Sequence, residues 1–332
     1  MRTLMLLCAS LCAMAFLVPP GPAHAQNVAW VSPNGNNSNS CSKTSPCATF
    51  TGAILKGGVA QINCLGSGDY GALNSSTIAD VGVSITGSIV IDCGAGNVGV
   101  VDTYGGNAAI NINSSDPSAI IVLRHLSLNG GGATSVNGIN TQSFPGGTLI
   151  VENCIIHGFH QGPNSPPFLT SGNGIYFAPT SGRGLLQVSD SLFYDNDNNG
   201  INVNPSSGVI ASVTLNRDEF TASNGGSAYG IYFTGNGTVA GSMRDSLVAE
   251  NGADGIASAA GATYFTIEES SIIDNLSIGI QSFTPATHFN VGASTIVGNG
   301  TGVSGPGIYS FGNNQMGANG SNGTFTGTTA LE

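Results

Sequence analysis

The chain repeats one phrase: an asparagine, a few small residues, then Gly-Ile. It reads Asn196…Gly200-Ile201, Asn224…Gly230-Ile231, Asn251…Gly255-Ile256, Asn275…Gly279-Ile280 and Asn299…Gly307-Ile308, and the Gly-Ile pair recurs earlier at Gly174-Ile175 and Gly138-Ile139. A spacing of about 24 to 36 residues is that of stacked repeats, each covering the apolar face that its neighbour cannot bury alone. A single globular core has no reason to keep such a period.

What each repeat is made of follows from composition. Charged residues are only 8% of the chain and Gly contributes 50 of 332 residues, so the Lys and Glu that cover exposed helix faces are scarce. Short Val/Ile/Phe/Tyr segments separated by Gly, Asn, Ser and Thr read as many short strands joined by tight turns. The clearest are Thr148–Ile156, Leu185–Phe193, Ile210–Phe220, Thr238–Val248, Tyr264–Ile273 and His288–Val297, each followed by a polar turn and a Gly-Ile strand. Two to three strands per repeat predict an all-β parallel β-helix, in which each strand stacks on its counterpart in the next coil at about 4.8 Å.

The segmentation comes next. Arg2, the apolar run Leu4–Val18 and the small-residue site Ala23-His24-Ala25 spell an export signal over residues 1–25. Residues 26–56 are expected to form an N-terminal cap with one short amphipathic helix within Cys47–Lys56, entered from Ser45-Pro46. The β-helix is expected over 57–318 and a Gly/Asn/Thr-rich tail over 319–332, closing the end partly and then fraying. A balance of 7 Lys+Arg against 18 Asp+Glu argues against nucleic acid and against anionic membrane surfaces as partners. Beyond the signal no run reaches the roughly 18 apolar residues of a membrane span. The expectation is a monomer that is secreted or periplasmic. In that oxidising setting Cys41 pairs with Cys47 across a Pro/Ser turn, Cys64 pairs with Cys93 about one repeat away, and Cys154 is left as a buried thiol.

The strand, polar, small, apolar pattern of Val151–Gly158 and Val188–Asn196 resembles the right-handed parallel β-helix repeats of the pectin-lyase-like superfamily. The resemblance covers about residues 57–318, and the cysteine-bearing opening resembles its secreted bacterial members without an assigned activity. It implies the handedness of the coil, and it implies little about function, because the superfamily holds lyases, hydrolases, esterases, adhesins and tail proteins. The sequence departs from the family's enzymes: the Asn-Thr-Asp, Asp-Asp and Arg-Ile-Lys set of polygalacturonases is absent, and only His157-Gly158 matches their His-Gly element.

Aligning the coils on Cys154, Ser191, Glu219, Ser246, Ser271 and Thr295 places Asp190, Asp218 and Asp245 in one vertical row and Arg217 and Arg244 in the row beside it. Three stacked carboxylates repel unless compensated. They are candidates for Ca²⁺ ligation or an acid/base pair, with an arginine as electrophile or base, as in the family's polysaccharide lyases. The alternative is a bend at which Asn and Asp are favoured for local backbone reasons. A second row follows the Gly-Ile pairs, and its Tyr176, Asn202, Tyr232 and Tyr309 suggest a sugar platform of rings and amides. Its alternative is plain β-propensity on a solvent face. The asparagines 196, 224, 251, 275 and 299 read as a structural amide ladder. The interruption at 157–173, with His157, His160, Pro163, Pro166, Pro167 and Phe168, reads as a shielding flap. The expected function is binding, with or without cleavage, of an extracellular polysaccharide by a lyase or glycoside hydrolase; the competing expectation is a non-catalytic structural or adhesive surface rod.

Overall fold

The computed structural model describes residues 27–71, 82–103, 108–131, 137–141, 144–161 and 171–330. The export signal and the Pro163–Phe168 part of the flap lie outside them. Among the described residues three parallel sheets of 12, 10 and 10 strands run the length of the molecule, with strands non-consecutive in sequence side by side in each. That is a parallel β-solenoid. One coil shows the plan: Arg183–Ser189 in the twelve-stranded sheet, Leu192–Tyr194 in a sheet of short strands, then Asn199–Val203 in a third sheet. The third carries the Gly-Ile phrase and is called the Gly-Ile sheet below.

Alternation sets the core. In Arg183–Ser189 the residues Gly184, Leu186 and Val188 are buried while Arg183 and Gln187 are exposed, the period of two expected of a strand with one inward face. Inward phenylalanines stack from coil to coil, Phe193 on Phe220 with ring centroids 4.8 Å apart. The glycine of the phrase answers to space. A Cβ at Gly200 would lie 2.6 Å from the Gly230 carbonyl oxygen and 2.9 Å from a Phe220 ring carbon. Since the first obstacle is backbone, Gly200→Ala is expected to cost about 1–3 kcal/mol, read as a lower urea midpoint; an unchanged midpoint would show that the coils can part at no cost.

Two details of the repeat differ from expectation. In the last repeat the Gly-Ile sheet takes Thr301–Ser304, with Gly302-Val303 in the phrase's place, whereas Gly307-Ile308 opens the next strand of the twelve-stranded sheet. The tail does not fray at residue 319 either: Gln315–Gly317, Ser321–Gly323 and Gly327–Thr328 add one strand to each of the three sheets.

At the other end Asn27–Val31 pairs in parallel with Val59–Cys64. The one described helix is short, Phe50–Ile54, and its N-cap is Thr49, whose hydroxyl accepts from the Gly52 amide at 3.0 Å, so it starts later than Ser45-Pro46 suggested. Both expected disulfides are present, Cys41–Cys47 and Cys64–Cys93, and Cys154 is buried and free, its thiol pushed up to about 12 by desolvation. No described helix is long and apolar enough to cross a membrane.

The asparagine ladder forms, with one substitution. Asn251, Asn275 and Asn299 each accept, through the side-chain oxygen, the backbone amide and, from Asn251 and Asn275, the side-chain amide of the coil before, as in Asn251 to Asn275 at 3.2 and 2.9 Å. Their own Nδ2 groups reach back to the carbonyls of Phe220, Val248 and Ile272. Asn224 is not a rung. It is exposed and donates to Asp195 at 3.1 Å, and Ser223 occupies the rung, its buried hydroxyl without a hydrogen-bond partner.

Candidate functional site

The expected aspartate column is built differently. Ser189 pairs with Asn216 and Leu192 with Glu219, so Asp218 stands opposite Ser191 and Arg217 opposite Asp190, one residue away from the sequence alignment. The column at the bend is therefore His125, Asn153, Asp190, Arg217, Asp245, Glu269 and Ala293, all left-handed with φ between 49° and 56°. A left-handed residue turns the chain from the long strand into the short one. Asn and Asp tolerate that conformation best, which explains their recurrence here. Arg217 interrupts the acids: its Nε and Nη2 each donate to Asp190 at 2.7 Å, and these bonds hold the Asp190 carboxyl below its ordinary range. Arg244 belongs to the preceding row, opposite Asn216 and Glu268, and pairs with Glu268 at 3.3 Å and Glu269 at 3.5 Å.

Asp218 points inward, in a column with Cys154, Ser191, Ser246, Ser270 and Ser294. It is 2% exposed. One carboxylate oxygen accepts from the Ser191 amide at 3.0 Å and the other from the Asn216 amide at 2.9 Å. Burial nonetheless outweighs these bonds and pushes its pKa up to about 7. The serines at this level do a neutral version of the same work, Ser246 donating to the Arg244 carbonyl at 2.7 Å and accepting from the Asp218 amide at 3.1 Å.

Arg217, Asp218, Glu219, Asp245 and Glu269 line a shallow, open groove of about 480 Å³. The donor set does not fit a calcium ion. Asp190 is held by Arg217, both oxygens of Asp218 are taken by backbone amides, and the guanidinium sits between Asp190 and Asp245 in the column. Among the described residues no three His, Cys, Asp or Glu side chains gather as a metal site. The arrangement is a surface of arginine–carboxylate pairs, net acidic, around one buried acid.

The Gly-Ile sheet offers a different chemistry. Its outward row runs Asn140, Tyr176, Asn202, Tyr232, Ala257 and Gln281. Tyr309 is not in it: it pairs with Asn290 in the twelve-stranded sheet and stacks on His288, rings 6.0 Å apart. Nor is the row an open platform, since Tyr176 is 5% and Tyr232 8% exposed and Asn202 is fully buried. Tyr176 receives a hydrogen bond from Asn204 at 2.7 Å, and Asn202 one from the Thr234 hydroxyl at 2.8 Å.

The open part lies one step beyond. Tyr229, which precedes the Gly of its phrase, stacks on Tyr232 with centroids 4.3 Å apart, and Phe283 meets Tyr232 edge-on at 6.5 Å. Phe283 is 47% exposed. Asp254 is buried beside the two tyrosines and accepts from the Ile278 amide at 3.0 Å. Desolvation raises its pKa, and desolvation together with Tyr232 and Asp254 pushes Tyr229 up to about 12. Aromatic faces, a half-buried Gln281 and a shielded carboxyl therefore meet on one surface. Sequence reasoning missed Tyr229 and Asp254; the available signal was that the position before the phrase's Gly changes from Asn137, Asn173 and Asn199 to these two residues.

The bend leading into this sheet adds titratable groups. His160 lies 3.6 Å from Asp195 and 3.5 Å from Asp197, and the His157 ring stacks on Tyr194 at 4.6 Å. Burial lowers the His157 pKa, against the opposing charges of Asp195 and Asp102.

No curated protein matches the sequence. Similar solved structures include pectate lyase Pel9A, 12% identical over 90% of this chain and 78% of that one, TM-score 0.48. The A-module of the Azotobacter vinelandii mannuronan C-5 epimerase AlgE4 is 13% identical over 85% and 94%, TM-score 0.43. A GH136 lacto-N-biosidase from Eubacterium ramulus is 12% identical over 92% and 67%, TM-score 0.40. Residues 173–330, which hold the most regular coils, match the family model described as right handed beta helix region, so this part of the solenoid is a right-handed β-helix.

Proposed function

We propose that this chain is exported and binds an extracellular polysaccharide on the outer face of the Gly-Ile sheet. The observation that carries the reading is the cluster of Tyr229, Tyr232 and the half-exposed Phe283 beside Gln281 and Asp254. An aromatic face packs against the C–H face of a pyranose, and an amide at its edge bonds the ring hydroxyls. The two disulfides favour an oxidising compartment, in line with the signal at residues 1–25. On the same reading residues 26–56, with their five-residue helix, cover the N-terminal end of the rod.

Phe283→Ala is the direct test, because a side chain this exposed contributes little to folding. Retention on a panel of immobilised glycans should fall by about tenfold, the loss of a single interfacial aromatic anchor, with the thermal midpoint unchanged. Undiminished retention by the variant would remove Phe283, and with it this face, from the binding surface.

A further inference from the structure

We infer that the polysaccharide bound on the Gly-Ile sheet is one whose sugars carry no carboxylate; the inference rests on the glycan-binding reading just given. It comes from where every lysine and arginine of the chain is. The sequence has 7 Lys+Arg, and Arg2 belongs to the signal. Lys43 lies 5.1 Å over the Trp30 ring and Lys56 donates to the Asn37 carbonyl at 2.8 Å, both in the N-terminal segment. The four remaining arginines stand on the twelve-stranded sheet or the bend that leaves it. Arg124 pairs with Glu152, Arg217 with Asp190 and Arg244 with two glutamates, while Arg183 donates to Ser212 at 2.8 Å. Segments 72–81, 104–107, 132–136, 142–143 and 162–170 contain no lysine or arginine in their sequence.

The face that carries Tyr229, Tyr232 and Phe283 therefore has no lysine or arginine to offer. Its acids are Asp254 and the Asp195 and Asp197 of the adjoining bend, where His160 lies 3.6 and 3.5 Å from the last two and is already held by them, and the chain as a whole carries −11. A polyuronate brings one carboxylate per sugar. Against such a surface each would lose hydration without gaining a partner, and the long-range field would slow its approach. The usual remedy, a bridging divalent ion, has no donor cluster here among the described residues. A neutral sugar meets none of these penalties, since the rings and the Gln281 amide satisfy its C–H faces and hydroxyls.

Matched polymers isolate the charge. Polygalacturonate and polymannuronate are compared with their carboxyl-reduced forms and with neutral glucans and xylans, by retention of the full chain in about 0.15 M salt. At least one neutral polymer should be retained, with each uronate at least about tenfold weaker than its reduced form. Uronates retained as well as their reduced forms would overturn the inference and leave the glycan-binding reading in place. Retention of no polymer, charged or neutral, would remove the reading itself. A gain of function closes the argument: Gln281→Lys puts a cation beside Phe283 and should create uronate retention that fades as salt is raised. If that variant gains none, charge is not what excludes uronates, and the inference fails.

Discussion

Replacing Asp218 by serine should stabilise the protein at pH 8 by about 2–4 kcal/mol and leave it nearly unchanged at pH 4. The folded-state pKa of Asp218 is raised from 3.8 to about 7, so the folded form holds its proton more tightly than the unfolded chain does. Below the unfolded value both states are protonated and the group is neutral in its effect. As pH rises from about 4 to 7 the unfolded chain releases the proton first. Folding then loses about 1.4 kcal/mol per pH unit, a total of about 4 kcal/mol that persists above pH 7. Serine is already the solution on four other coils, where Ser191, Ser246, Ser270 and Ser294 each donate to a carbonyl of their own coil. The variant gives up the contact with the Asn216 amide, which trims the gain. Urea midpoints from pH 4 to 8 decide the matter: parallel profiles for the two proteins would mean that the Asp218 carboxyl is not desolvated as its burial requires.

Asn275→Ala should cost about 3–5 kcal/mol. The side chain is 1% exposed and makes four hydrogen bonds, accepting from the backbone and side-chain amides of Asn251 and donating to the Val248 carbonyl and to Asn299. Alanine leaves those partners buried without a replacement, at about 1–3 kcal/mol for each that finds no other. Ser223→Asn is the converse, since it fills the one rung whose hydroxyl has no partner. Equal urea midpoints for Asn275→Ala and the parent would show that the ladder is incidental to stability.

The repeat and its strands were legible because period and alternation are properties of many residues at once. Single positions were not. Asp218 and Glu219 both suit the inward slot by pattern, and choosing between them required knowing that a left-handed residue at Arg217 uses up one position of the bend. A one-residue slip changes the face of everything after it, which turned an alternation of Asp190, Arg217 and Asp245 into an apparent stack of acids. Ser223 was passed over for Asn224 by the same kind of slip. Tyr309 was misplaced because Gly307-Ile308 repeats the phrase's letters in a different sheet. On the Gly-Ile face the row containing Tyr176, Asn202 and Tyr232 was legible, but its burial was not, because what covers an outward residue comes from neighbouring coils and connections. Tyr229 stacks on Tyr232 across Gly230 and Ile231, three positions apart, a pairing that strict strand alternation does not predict.

The asparagine ladder also has a direction. Each rung accepts amides from the coil before it, so a coil is complete only once its successor is in place. Growth from the N-terminus therefore always leaves the newest coil with donors to satisfy. The tail continues the pattern: Asn313, Asn314 and Asn319 accept the amides of Ala293, Ser294 and Asn299, and Asn319 donates its own Nδ2 to the Ile296 carbonyl at 2.9 Å and to Asn322 at 3.0 Å. Removing the Asn319 side chain would therefore strand the Asn299 amides, a loss felt one coil upstream of the change.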